Sequence, residues 1–188
     1  MKKVIIIFAL LLGSINLIGQ EHLSFKGISI EGSMNEFSQK LKAKGFTSIG
    51  SGQNYTKFEG VFTGRNATVN VISADGQSVY GVDVTFKASE EWNALVDIYD
   101  YYKELYIRKY GKPTASKELN PAYVESNSIL MTQLYQGTVE WHSIWKAQGG
   151  YIELSIEKTS GFHEGVVVIR YRDSQNVDAK IQKDLEEI

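Results

Sequence analysis

The sequence predicts an α+β fold: an antiparallel sheet covered on one face by helices, built from two loosely repeated helix-plus-meander units and a C-terminal helix. Three observations carry this expectation. Two segments with helical periodicity are each followed by several short runs rich in Val, Tyr, Phe and Thr. The runs are joined by tight turns that leave little room for parallel crossovers. The chain then closes on apolar residues spaced by four.

The first helix is expected from Met34 to Lys44. Ser33 with Glu36 makes a capping box, Phe37 and Leu41 fall on one face, and Gly45 stops the pattern. Strands are expected at Tyr55–Phe62, Ala67–Ser73 and Val79–Phe86, with Asp75-Gly76 turning the chain before the last. In that run Tyr80, Val82, Val84 and Phe86 alternate with Asp83 and Thr85. Ser89 is the expected cap of a long second helix, with Glu90 and Glu91 in its first turn. Trp92, Leu95, Val96, Tyr99, Tyr102 and Tyr106 form its apolar stripe, and Gly111 and Pro113 end it. Residues 114–128 are polar, contain Pro121 and read as a long connection. A second meander is expected from Ile129–Tyr135, Thr138–Lys146, Tyr151–Glu157 and Val166–Arg172, with Gly149-Gly150 as a turn. Asp173 or Ser174 starts a closing helix whose Val177, Ile181 and Leu185 are four apart.

The first twenty residues place Lys2 and Lys3 before an apolar run from Val4 to Leu12, broken afterwards by Gly13, Ser14 and Asn16. That is the pattern of a secretory signal peptide, too short to span a bilayer. A single mature domain is therefore expected over residues 21–188, periplasmic or secreted, with no transmembrane anchor after cleavage. The formal net charge of −2 becomes more negative when Lys2 and Lys3 leave with the leader, which argues against a nucleic-acid partner. The chain has no cysteine, so disulfides, thiolate metal sites, cysteine nucleophiles and a lipid-bearing cysteine are excluded. It has no Gly-rich phosphate loop of either standard type, and no cofactor is expected.

The segment His22–Gly32, continuing into Phe37, Lys40-Leu41 and Lys44-Gly45-Phe46, resembles the opening of a family of uncharacterised exported proteins from the Bacteroides group. Lys109–Pro113 and the Gly150–Ile156 strand are similar to it as well. The resemblance implies a fold and an exported location, and supplies no catalytic residue. In element order the chain is also similar, more loosely, to the helix-plus-sheet repeats of beta-lactamase inhibitor proteins and related outer-membrane assembly lipoproteins.

Several side chains are candidates for binding. Trp141 and Trp145 share a strand face and suit either a core or a platform for sugar rings. Glu153 and Glu157 point the same way with Ser155 between them, the pairing that glycosidic cleavage requires and also the wet face of an ordinary strand. The five tyrosines of the second helix exceed what one buried stripe absorbs, which makes Tyr101 and Tyr106 candidates for an interaction surface. Arg170 and Arg172 beside Tyr171 could hold an anion. His22, His142 and His163 could join Glu140, Glu153 or Glu157 as metal ligands, but their spacing fits surface positions better, and no metal site or catalytic residue is assigned. These features favour an exported non-enzymatic binding module for a protein or glycan partner in the bacterial cell envelope. A small periplasmic carbohydrate-binding protein or hydrolase is the alternative.

Overall fold

The computed structural model describes residues 21–119, 126–161 and 163–188; the expected signal peptide lies outside the described residues. Eight strands form one antiparallel sheet: β3 (Thr47–Ser51), β4 (Tyr55–Phe62), β5 (Arg65–Ser73), β6 (Val79–Thr85), β7 (Ala115–Leu119), β8 (Glu140–Ala147), β9 (Gly150–Lys158) and β10 (Gly165–Asp173). Their order is β3-β4-β5-β6-β10-β9-β8-β7, so each unit is a meander and the two units join through their last strands, β6 and β10. A separate hairpin of β1 (Ser24–Phe25) and β2 (Ile28–Ser29) precedes α1 (Met34–Ala43); α2 (Trp92–Tyr110), α3 (Asn127–Gln136) and α4 (Ser174–Leu185) complete the chain. The α+β class, the antiparallel sheet and the C-terminal helix are thus as the sequence predicts.

Helix α1 begins with the expected reciprocal cap. Ser33 Oγ accepts from the Glu36 N–H, and Glu36 Oε2 accepts from the Ser33 N–H. Its Phe37 and Leu41 enter the core. Helix α2 starts later than its sequence suggests. Ser89 exchanges both backbone hydrogen bonds with Gly165, which holds it extended, so Glu91 becomes the N-cap and neither glutamate lies in the first turn. Trp92, Leu95, Tyr99, Tyr102 and Tyr106 are its buried stripe, while Val96 is only partly buried.

Two expected assignments are corrected. The run around Ile129–Tyr135 is helix α3, not a strand. Leu130, Met131 and Leu134 fall on one helical face against the core, and Gly137 closes the helix in the left-handed conformation at φ 74°. The long connection contains an edge strand, β7, which pairs with β8 from Ala115↔Ile144 to Leu119↔Glu140. Residues 120–125 of that connection lie outside the described residues.

The inner face of the sheet is apolar. Phe58, Val69, Val71, Val82, Val84, Ile152, Leu154, Val167 and Ile169 meet the buried faces of α1, α2 and α3 in one contiguous cluster. Each such side chain contributes roughly 1.5–3 kcal/mol by leaving water. Tyr80 departs from the alternation, because the register shifts between Ile72↔Gly81 and Ser73↔Val79 and leaves it as the extra residue of a bulge. Val79 is thereby turned inward and fully buried. At the other end of the core Phe25 stacks on Phe62 at 5.6 Å and meets the edge of Tyr171 at 5.2 Å, which ties the small hairpin to both units. Among the described residues no helix is long and apolar enough to cross a membrane.

Candidate functional site

The core helices α1, α2 and α3 pack on the inner face of the sheet, and the outer face carries most of the strands' polar side chains. Because paired residues of an antiparallel ladder point the same way, the registers align the outward side chains in rows across the strands. One row runs from Lys57 through Asn70, Asp83, Arg170 and Glu153 to Ile144. A parallel row runs from Glu59 through Thr68, Thr85, Val168 and Ser155 to His142. Val166 and Val168 are buried yet do not belong to the core cluster, as expected for side chains of this opposite face. An open depression of about 500 Å³ lies over the β3–β6 end, lined by Thr47, Glu59, Val61, Asn66, Thr68 and Thr85 among others.

Arg170 sits at the centre, on one of the two strands that join the units. Its guanidinium grips Glu157 with both nitrogens, Nη2 donating to Oε2 at 2.7 Å, and Nη1 also donates to Ser155 Oγ at 3.3 Å. Nη1 lies 3.8 Å from Glu153 as well. Arg172 takes the neighbouring acid, donating to Asp83 Oδ1 at 2.6 Å. Burial works to raise the Glu157 carboxyl, but hydrogen bonds from Arg170 and Ser155 and the Arg170 charge outweigh it and hold the group below its usual range. Arg170 is correspondingly pushed up, chiefly by its hydrogen bond to Glu157.

This arrangement bears on the carboxylate pair. Glycoside hydrolysis requires one carboxyl that keeps its proton near neutrality. Glu153 and Glu157 instead converge on one guanidinium, and Glu157 is driven towards the ionised form. The pair is an anchor for Arg170.

The tryptophans occupy the inner side of β8. Trp145 is 1% exposed and its indole N–H donates to the Gly111 carbonyl at 3.0 Å, so it fastens the end of α2 to the sheet. Trp141 is partly buried, edge-on to Trp92 at 5.2 Å. Beside them Tyr99 shares a 2.8 Å hydrogen bond with the buried Ser143 and donates to Glu118, which also pairs with Lys103. The tryptophans and the two glutamates therefore lie on opposite faces of the sheet and do not form one site.

The helix tyrosines also separate. Tyr101 is 40% exposed on the outside of α2, with the Arg65 guanidinium 5.3 Å from its ring centre. Tyr106 points inward, and its hydroxyl shares a hydrogen bond with that of Tyr171. It borders a second cavity, of about 200 Å³, between the β1–β2 hairpin, the β4–β5 turn and the end of α2. Periodicity along one helix could not find that cavity, since its walls come from three distant segments.

The histidines are scattered. His22 lies 3.1 Å from Asp173 and 3.4 Å from Glu31 at the start of the described chain, and His142 is on β8. His163, at φ 52°, stands in the β9–β10 connection, its ring 5.4 Å from that of Tyr135. Among the described residues no three His, Asp or Glu side chains are grouped to hold a metal ion. The fold is that of an α+β protein with an eight-stranded antiparallel sheet. No family model, no curated protein and no solved structure matches the chain.

Proposed function

We propose that this chain is an exported binding module of the bacterial cell envelope, without catalytic activity, that docks a protein partner on the outer face of its sheet. The observation that carries the proposal is the outer face spanning both units, whose central charges are already paired and held in place. Side chains fixed by one another lose little conformational freedom on docking, so a partner meets a preorganised surface. The exposed Tyr151 and Lys57, with the partly buried Ile144, add the mixture of aromatic, aliphatic and charged groups common at interfaces. Export rests on the lysine-led apolar leader, and the likeness of His22–Gly32 to the exported Bacteroides-group family agrees with it.

The test is capture from envelope and culture fractions of the native cell with residues 21–188, run beside two variants of equal thermal stability. The first, Lys57→Glu with Tyr151→Glu, alters the outer face; the second, Tyr101→Ala, alters the outside of α2. A stoichiometric protein held by the parent and by Tyr101→Ala, but lost from the double variant, is the expected result. A partner lost only with Tyr101→Ala would move the interface to the helix and overturn the assignment. Face-dependent binding of envelope glycans with no protein captured would establish the carbohydrate reading instead.

A further inference from the structure

We infer that the cavity between the β1–β2 hairpin, the β4–β5 turn and the C-terminal turns of α2 is a binding site for a small planar ring bearing a carboxylate. It is separate from the outer face: Tyr171 and Tyr106, which close its floor, project from the inner face of β10 and from α2 towards each other.

The walls set the shape of the ligand. Phe62 and Tyr102 stack at 5.7 Å with their planes 26° apart, and Tyr106 and Tyr110 stack at 5.8 Å and 16°. Leu105 adds an aliphatic contact. A volume of about 200 Å³ is below the usual range for drug-sized ligands and suits a single ring. Aromatic walls of this kind favour a ring that can lie flat or edge-on against them.

The polar groups set its charge. Lys26 and Lys109 line the cavity, and no carboxylate does. Each ammonium lies against an aromatic ring, Lys26 5.3 Å from the centre of Phe46 and Lys109 4.9 Å from that of Tyr110, which carries the positive charge along the rim without neutralising it. The other hydroxyls divide into used and free. Thr63 Oγ1 donates to Tyr102, whose hydroxyl donates to the Phe62 carbonyl, and Tyr106 is tied to Tyr171. Tyr110 and Ser24 make no side-chain hydrogen bond among the described residues, and both line the cavity. Two cations and two unused hydroxyls around an aromatic slot match a ring whose anionic group faces the rim.

The backbone places the two turns at one rim. Lys26 at φ 49° and Thr63 at φ 46° are each the first residue of a two-residue hairpin turn, followed by Gly27 at 76° and Gly64 at 85°, and left-handed backbone at both central positions is what such a turn requires. Both Lys26 and Thr63 line the cavity.

Benzoate is the probe, with benzyl alcohol as its uncharged counterpart, titrated into residues 21–188 by calorimetry and by amide NMR shifts. The expected result is saturable one-to-one binding of benzoate at about 1 mM or tighter. Its shifts should centre on Thr63, Leu105 and Tyr110. Benzyl alcohol should bind at least about tenfold more weakly, and Lys26→Gln with Lys109→Gln should weaken benzoate by a similar factor. Leu105→Phe, which fills the slot and leaves both lysines, should abolish binding while the folded spectrum persists. No saturation with benzoate by about 20 mM, more than ten times the expected constant, overturns the assignment. So does equal binding of the alcohol, or indifference to the lysine substitutions.

Discussion

Asp173 illustrates how much one side chain can hold. It is fully buried, accepts the Leu23 N–H at Oδ2 (2.8 Å), caps α4 by accepting the Asn176 N–H at Oδ1 (3.0 Å), and stands beside His22. One carboxylate thus fastens the segment before β1 and the start of the last helix to the same strand end. Asp173→Ala removes a cap and leaves a buried N–H without its acceptor, and should cost about 2–4 kcal/mol in urea denaturation. Glu157 allows a sharper test, because its effect depends on pH. Its carboxyl titrates lower in the folded chain than the unfolded value of about 4.3. The stabilisation is therefore complete above that value and disappears as pH falls through the folded one. Glu157→Gln should destabilise the protein by about 1–3 kcal/mol at pH 7, since it leaves Arg170 poorly compensated. The gap between variant and parent should narrow as pH falls below the unfolded value and close only once the folded carboxyl, held low by Arg170, is itself protonated. A gap that stays constant with pH would mean that Glu157 acts by packing alone.

At the scale of elements, the legible ones were those with a cap or a clear period. The Ser33–Glu36 box and the aromatic stripe of α2 follow directly from residue spacing, and β4 and β5 from runs rich in Val, Tyr, Phe and Thr. β3 was hidden because all five of its residues are exposed, which leaves no alternation to read. α3 was misread because Ile129, Thr132 and Tyr135 have strand preferences; tertiary packing of Leu130, Met131 and Leu134 decided otherwise, and Gly137 was the overlooked stop signal. Of the candidate residues, the outward stripe of Glu153 and Glu157 was readable, whereas their convergence on Arg170 depends on the β9–β10 register, which no local pattern contains. α4 shows the reverse case. Val177, Ile181 and Leu185 are correctly spaced, yet the helix buries no residue, and Ile181 and Leu185 are 46% and 53% exposed. Its buried attachment is at the first turn, where Asn176 Nδ2 donates to the carbonyls of Ile30 and Val79, while the distal turns add only the exposed Lys183–Asp75 pair at 3.3 Å. Ending the chain after Val177 should therefore shift the thermal midpoint by no more than about 2–4 °C, the equivalent of under 1 kcal/mol for a chain of this size. A fall of 10 °C in calorimetry would show that the distal turns are packed in solution.

The whole molecule raises the question of whether its two meanders are independent. Their arrangement is approximately symmetric, with β3-β4-β5-β6 on one side of the junction and β7-β8-β9-β10 on the other, and α1 and α2 heading the respective units. Symmetric units sometimes stand alone, but here three features oppose it. The β6–β10 ladder extends over five residue pairs from Val168↔Thr85 to Arg172↔Gly81, and separating it would bare two sheet edges along their full pairing length. Tyr171 of the second unit packs edge-on against Phe25 of the N-terminal hairpin, and Phe86 stacks on Tyr102 of α2 at 4.6 Å, so the aromatic core crosses the boundary. Arg172 of one unit pairs with Asp83 of the other. Fragments 21–87 and 88–188 would each lose these contacts at once, and chains of that size have little burial to spare. Each fragment alone should show collapsed or disordered amide spectra, and an equimolar mixture should recover the dispersed spectrum of the intact chain. In the intact chain, urea unfolding followed by tryptophan fluorescence, which reports α2 and β8, should coincide with far-UV circular dichroism in a single transition. Two separated transitions, or a dispersed spectrum from 88–188 alone, would mean that the second unit carries its own stability and that the junction is an interface between two folded bodies.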